Sequence, residues 1–374
     1  MTHRVLIVFG TRPEAIKIAP VVHAMQSSDD FEPIVAVTAQ HRTMLDEVLQ
    51  VFGIKPDYDL DIMREGQTLT QITMRALEGL SPVIEETRPD LLVVQGDTST
   101  TFVGALAAFY HRVPVAHVEA GYRTGDKYQP FPEEANRRLV SELTEWHFAV
   151  NEGCRQHLLR EGHSDEAIRV VGNTGIDALR HVGTIPLDLD TTPVAGMLEP
   201  GTTKILMTMH RRENWGAPIE SACRAARRLV EANAEVEILF AVHLNPVVQA
   251  SAHAVLGGAE RVHLLPALDY LTFSKVLHAA DVVMSDSGGI HEEALALGKP
   301  LLMLRNVSEW PEAVASGQTR LVGTDEDRIV VEATSILDAL AAGRPLPRLD
   351  NPFVDGHASE RVLEHLRAYM RARG

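Results

Sequence analysis

The stretch from Asp281 to Leu304, DVVMSDSGGIHEEALALGKPLLML, constrains the fold more than any other part of the chain. Its apolar start, DVVMS, has the length and branching of a buried strand. Asp286, Ser287, Gly288 and Gly289 then make a polar turn, and Ile290 to Leu297 supplies helix formers until Gly298 and Pro300 end them. Leu301 to Leu304 is the next strand. A strand that runs through a Ser-Gly-Gly turn into a helix leaves backbone N–H groups and the positive helix end at one place, where phosphate would bind. Glu292 and Glu293, read here as the first turn of that helix, would accept from a sugar hydroxyl on the same ligand. The plainer alternative is that the glycines only close a βα turn and the glutamates only complement the dipole.

The same strand-turn-helix unit recurs along the chain. Arg4 to Phe9 reads as a strand, Gly10 to Arg12 as a turn and Pro13 as the first position of a helix. That turn is a second candidate phosphate site, with Arg12 and Lys17 as mobile cations. The strand Leu91 to Gln95 delivers Gly96, Asp97 and Thr98 to a helix. Val113 to Val118 ends on Glu119, before the loop AGYRTGDKYQPFP and the helix EEANRRLVSEL that starts at Glu133. Residues 183–202 carry Gly, Pro, Thr and Asp without periodicity and read as a linker. The pattern then restarts with the strand Lys204 to Met209, whose end presents His210, Arg211 and Arg212. These alternations predict an α/β protein of two doubly wound, Rossmann-like domains, 1–182 and 203–356, with the ligand in a central cleft at the C-terminal strand ends. The last helix, 357–374, either closes the second domain or packs back on the first.

At 374 residues the chain suits two cores. Its formal charge of −16 argues against a nucleic-acid surface, so an anionic ligand needs local arginines, lysines and helix ends. Two distant cysteines, Cys154 and Cys223, indicate a reducing, cytoplasmic setting and no structural zinc. The first apolar run is too short for a signal peptide or membrane span. GTRPEA stands where a dinucleotide fold would have GxGxxG, and neither HExxH nor GxSxG occurs, so no nicotinamide cofactor, metal or serine nucleophile is expected.

Chemistry must then come from the strand ends. Asp97, Glu119 and Glu133 are three carboxylates on neighbouring elements, and carboxylates gathered in a cleft push each other's pKa values apart, so that one serves as acid and another as base. Against this stands helix capping by Asp97 and Glu133. His210 with Arg211 and Arg212 suits a diphosphate.

Taken together, VFGTRPEAIK at 8–17, AQHR at 39–42, GDTSTT at 96–101, HVEAGYRTGD at 117–126, PEEANR at 132–137, GNTGIDAL at 172–179, HRREN at 210–214, VHLNP at 242–246 and DSGGIHEEALALGKP at 286–300 strongly resemble the non-hydrolysing UDP-N-acetylglucosamine 2-epimerases. The resemblance covers nearly the whole chain. It implies a GT-B-like fold and reversible conversion of UDP-N-acetylglucosamine to UDP-N-acetylmannosamine, by anti elimination of UDP to 2-acetamidoglucal and re-addition. The matching blocks imply active-site roles for Arg12, Lys17, Asp97, Glu119, Glu133, Arg137 and His210. They imply diphosphate and ribose contacts at Ser287, Gly288, Gly289 and Glu293, and a place beside the uracil for Phe273. A homodimer is expected.

Gln40, Glu134, Arg211 and His243 match the lining of a second, activating nucleotide-sugar site found in some bacterial members. Two further positions of that site, a glutamine and an arginine in those members, are Thr43 and Gly66 here, which removes an amide side chain and a cation. The family commonly has arginine where Trp310 stands, so a stacking surface is expected in place of a cation. The competing readings are a hydrolysing epimerase that releases N-acetylmannosamine, and a nucleotide-sugar-binding protein or glycosyltransferase on the same scaffold.

Overall fold

The computed structural model describes residues 2–39, 42–308, 310–351 and 354–373. They form two compact units, Met1–His181 with Pro352–Gly374, and Val182–Asn351. Among the described residues of the first unit the strands are β1 (His3–Phe9), β2 (Phe31–Val37), β3 (Tyr58–Asp59), β4 (Leu91–Gln95), β5 (Val115–Ala120), β6 (Trp146–Ala149) and β7 (Ile168–Val170). They pair in parallel in the order β3-β2-β1-β4-β5-β6-β7. Helices cover both faces of such a sheet, so its strands lack polar alternation: Val5 to Phe9 and Leu91 to Val94 are all fully buried.

The second unit repeats the plan. Its strands are β8 (Thr203–Thr208), β9 (Val236–Ala241), β10 (Val262–Leu265), β11 (Val282–Ser285), β12 (Leu301–Met303) and β13 (Thr319–Leu321), in the parallel order β10-β9-β8-β11-β12-β13. In each unit the strand order reverses at one point, between β1 and β4 and between β8 and β11. Connections leave those neighbours toward opposite faces, which opens a crevice at their C-terminal ends and makes it the favoured ligand position. No helix among the described residues is long and apolar enough to cross a membrane.

Two local features are not signalled by the sequence, and a third departs from its reading. Tyr58–Asp59 forms a short edge strand, which two residues without periodicity cannot announce; register against Ala36 and Val37 creates it. Pro311–Ser316 is a short helix opened by Pro311. Residues 183–202 count with the second unit rather than standing apart: Val194 is fully buried, and Lys204 Nζ donates to the Glu199 carbonyl at 2.5 Å.

The helix Ala358–Arg373 belongs to the first unit, where Asp177 holds its start. One Asp177 oxygen accepts from the Ala358 N–H at 3.2 Å, and the other accepts from the Ser359 N–H at 2.8 Å and its hydroxyl at 2.6 Å. Asp355 pairs with Arg361 at 2.5 Å, and Arg367 reaches Asp30 at 2.7 Å. Asp177 thus satisfies first-turn donors that have no helical acceptor. Asp177→Ala is expected to lower stability by about 1–3 kcal/mol, the cost of leaving such donors unpaired. A urea midpoint equal to that of the wild type would rule this anchoring role out.

Candidate active site

The first cluster forms where β1, β4 and β5 end. Gly10 follows β1 because no side chain fits there: a Cβ would lie 2.0 Å from Thr38 Oγ1 and 2.6 Å from Thr100 Oγ1, which bond each other at 2.8 Å. The chain then enters the helix Arg12–Gln26. Glu14, on its first turn, is 1% exposed, and its Oε2 accepts the N–H groups of Gly10 at 3.1 Å and Thr11 at 2.8 Å. This corrects the expectation of a phosphate site on the GTR turn, since an internal carboxylate already occupies those two donors. Burial pushes the Glu14 pKa up, partly offset by hydrogen bonds from Thr98, Thr11, Gly10 and Thr101. Arg12 remains exposed beside it.

Lys17, one turn further on, forms an ion pair with Glu119 at 2.5 Å. Glu119 adopts φ +68°, a region that non-glycine residues seldom enter, and the β5–β6 register shifts between Val118 and Ala120 around it. The resulting bulge turns its carboxylate to meet Lys17 and the Gln95 side-chain amide, which donates at 3.0 Å. Such a backbone conformation persists only where the surrounding contacts over-determine it.

After β4, Gly96 takes φ +75° and starts the turn that presents Asp97. Thr98, not Asp97, is the N-cap of the helix Ser99–Tyr110, and its hydroxyl accepts from the Thr101 N–H at 3.2 Å. Capping therefore does not explain Asp97. Its carboxylate instead accepts a short hydrogen bond from Arg137 Nη2, and its carbonyl accepts from Asn136 Nδ2 at 2.9 Å. Asp97 and Glu119 each meet a cation rather than another carboxylate, which replaces the expected mutual repulsion by two ion pairs.

Glu133 is the first residue of the helix Glu133–Glu142 and half-buried, and its carboxylate has no hydrogen-bond or ion-pair partner among the described residues. Glu134 beside it is fully buried. It accepts the Thr124 and Gly125 N–H groups at 3.0 and 3.3 Å and approaches Arg137 at 3.4 Å and Arg138 at 3.3 Å. Of the expected effector group, it is thus an anchor for the 124–125 loop. Gln40 lies outside the described residues, and Gly66 stands at φ +66°.

The second cluster forms where β8 and β11 end. Asp286 is fully buried and receives the His210 N–H at 3.1 Å, the Arg211 N–H at 3.0 Å and Asn214 Nδ2 at 2.9 Å. Arg211 Nε donates to the Asp286 carbonyl at 2.9 Å, and the exposed His210 ring keeps Nε2 3.8 Å from the carboxylate. Partial burial pushes the His210 pKa down, against the opposing charge of Asp286. His243 is exposed, its ring 6.1 Å from that of His210.

The helix after β11 runs Gly288–Ala296, so it starts two residues earlier than the sequence suggests. Gly288 and Gly289 are its first turn, where N–H groups lack helical acceptors, and a Cβ on Gly289 would meet only Ser287 Oγ at 4.0 Å. Glu292 and Glu293 consequently sit on the second turn, a correction to their expected place. Glu292 accepts from Trp310 Nε1 at 3.3 Å, and Trp310 is 2% exposed. The indole is thus core, not the stacking surface expected of it. Phe273 is half-buried on the helix Tyr270–Ala279. The phenol of Tyr270 is held well above its usual pKa by burial, with the charge of Glu293 adding to the shift.

Two residues of consequence escape the sequence reading. Glu14 stands in the quoted GTRPEA block, but its partners lie 84 and 87 residues away. His117 is buried on β5 with its Nε2 2.6 Å from the Gly96 carbonyl; a carbonyl only accepts, so that nitrogen carries the proton. The signal for both was a polar residue inside an apolar setting.

Two doubly wound units, each with charged and glycine-bearing turns at its switch point, define a Rossmann-type, GT-B-like protein. The family model for UDP-N-acetylglucosamine 2-epimerase matches residues 23–367. The chain belongs to that family. A UDP-N-acetylglucosamine 2-epimerase of Yersinia pestis is 49% identical over 372 residues, covering 98% of this chain and 99% of that one. The crystal structure of UDP-GlcNAc 2-epimerase from Neisseria meningitidis bound to UDP-GlcNAc superposes with a TM-score of 0.84 at 41% identity, covering 98% of this chain and 100% of that one. The Staphylococcus aureus MnaA-UDP co-structure gives 0.82 at 42% identity, with coverages of 99% and 97%.

The buried histidines generate a pH prediction. Burial, the largest cause in each case, lowers the pKa of His117 to about 4 and of His147 to about 2. A depressed folded pKa contributes stability that is present above the ordinary value of 6.5 and is lost as pH falls toward the folded pKa. Between pH 6.5 and 4 each histidine should cost about 1.4 kcal/mol per pH unit. His147→Phe, which keeps a ring beside His163, should flatten the fall in urea midpoint by one such increment. An identical pH slope in the variant would show that His147 is not neutral in the folded state.

Proposed function

We propose that this protein interconverts UDP-N-acetylglucosamine and UDP-N-acetylmannosamine without hydrolysing either, by elimination and re-addition of UDP. The observation that carries the proposal is the pair of ion-paired carboxylates at adjacent strand ends, Asp97 with Arg137 and Glu119 with Lys17. The C2 proton of the sugar is not acidic, so its removal must be coupled to departure of the C1 substituent. A carboxylate takes the proton as the C1–O bond to the diphosphate breaks; the C–H electrons form C1=C2, and UDP leaves with the C–O pair. Re-addition returns a diphosphate oxygen to C1 and a proton to the other face of C2. Nothing is oxidised or reduced overall, so the scheme calls for no cofactor.

Two faces require two proton-handling groups, and Asp97, Glu119 and Glu133 supply three carboxylates, with His210 assigned to the leaving diphosphate. Arg12, Lys17 and Arg137 bring cations for the anionic substrate, an arrangement that a chain of net charge −16 needs locally. Ser287 and the first-turn N–H groups of Gly288 and Gly289 are assigned to the diphosphate, Glu293 to the ribose and Phe273 to the uracil. The relatives whose structures hold UDP-GlcNAc or UDP support this choice of ligand. The protein is read as a cytoplasmic homodimer.

Turnover in heavy water, followed by proton NMR, tests the route: epimerised product should carry deuterium at C2. Product that keeps its original C2 hydrogen would exclude elimination, free N-acetylmannosamine would establish a hydrolysing enzyme, and unchanged substrate would leave a binding protein. Asp97→Asn, Glu119→Gln and Glu133→Gln should each lower turnover by roughly two to four orders of magnitude. Near-normal activity in any one removes that residue from the scheme.

The second, effector site is read as weakened. Thr43 and Gly66 offer neither the amide nor the cation, and a charge-assisted contact is worth roughly 1.5–3 kcal/mol. UDP-N-acetylmannosamine should therefore be consumed without a lag in the absence of UDP-N-acetylglucosamine. A lag that a trace of UDP-N-acetylglucosamine abolishes would show the effector site intact.

A further inference from the structure

We propose that Glu14 is a positioning residue: it locks the turn that carries Arg12 to the turn that carries Asp97, and so sets the geometry from which Asp97 acts. The proposal rests on the epimerase reading given above. Its basis is the division of labour between the two oxygens of one buried carboxylate. Oε2 takes the N–H groups of Gly10 and Thr11, which fixes the end of β1. Oε1 takes the hydroxyl of Thr98 at 2.7 Å and lies 3.0 Å from that of Thr101, whose single proton it shares with the Gln95 carbonyl at 2.7 Å; both contacts fall on the turn after β4.

A helix start of its own would need only the first pair of bonds. The second pair reaches another turn of the sheet, on the far side of the switch point, and its Thr98 directly follows Asp97. Asp97 is then held from two directions, by Glu14 through Thr98 and by Asn136 through its own carbonyl. Burying a carboxylate is costly, and burial accordingly pushes its pKa up. The two N–H groups, the Thr98 hydroxyl and the shared Thr101 proton offset that cost only while both turns stay in place, so the two turns behave as one rigid piece. A displacement near 1 Å of a reacting group lowers turnover by about two orders of magnitude, which sets the scale of the effect.

Thr98→Val removes the hydroxyl that joins Asp97's turn to Glu14, and Thr98→Ser restores it. Thr98→Val is expected to lower kcat for UDP-N-acetylglucosamine roughly 10- to 100-fold, with KM changed less than about threefold, and Thr98→Ser to recover most of the loss. Glu14→Gln keeps an acceptor for the two backbone donors but faces the threonines with an NH2 group that only donates, so the charge-assisted bond from the Thr98 hydroxyl is lost. In the double variant its loss should not multiply with that of Thr98→Val, because both remove the same link.

Wild-type turnover is measured first: its absence would fail the epimerase reading itself. If the wild type turns over and Thr98→Val lowers the melting temperature with kcat unchanged, Thr98 is a helix cap alone and the proposal is overturned. Losses that multiply in the double variant would overturn it as well. Should Glu14→Gln fail to fold, the kcat contrast between valine and serine at position 98 decides by itself.

Discussion

A buried carboxylate at each switch point is the constraint on which both candidate clusters depend. In the first unit Glu14 follows β1 and reaches the turn after β4; in the second Asp286 follows β11 and reaches the turn after β8. β1 and β4 are neighbours, as are β8 and β11. The two units thus use the same device with the acid placed on opposite partners. The reason is general: where connections diverge from neighbouring parallel strands, turn N–H groups lose their ladder partners, and a buried donor left unpaired costs about 1–3 kcal/mol. A carboxylate that takes several of them ties the turns together.

Fixing the turns fixes the charges they carry. Lys17 is aligned by the helix that Glu14 starts, and it finds Glu119 on a bulged, left-handed residue of β5. Arg137 is shared between Asp97 and the buried Glu134, so its guanidinium has little freedom. In a protein of net charge −16 such local pairing keeps cations at the strand ends. Arg211 is likewise held by the carbonyl of Asp286. What these arrangements offer is a set of groups whose positions are settled before a ligand arrives.

The ends of the chain obey the same economy of donors. Asp177, another buried acid, takes the first N–H groups of the terminal helix, which returns to the first unit across 181 and 182 residues of sequence. Three buried acids, each at a helix start, therefore hold the parts that lie far apart in sequence. Burial raises the pKa of Glu14 and of Asp177, the expected mark of acids retained for their hydrogen bonds.

What the sequence determined by itself was whatever is local and periodic. Apolar runs such as Val5 to Phe9 and Val282 to Ser285 marked the strands, and Gly-containing turns after them marked the strand ends at which Asp97, Glu119, His210 and Ser287 stand. The order of nine sequence blocks carried the family. The partner of each charge was settled by the packing of the sheets. Thr98 rather than Asp97 caps a helix, Glu14 spends its oxygens on the turn that GTR was expected to offer to phosphate, and Trp310 is buried against Glu292. Glu119 meets Lys17 across 102 residues and Arg137 meets Asp97 across 40. No periodicity spans such distances: a side chain's partner is set by which strands lie side by side, and that order exists only once the sheets have formed.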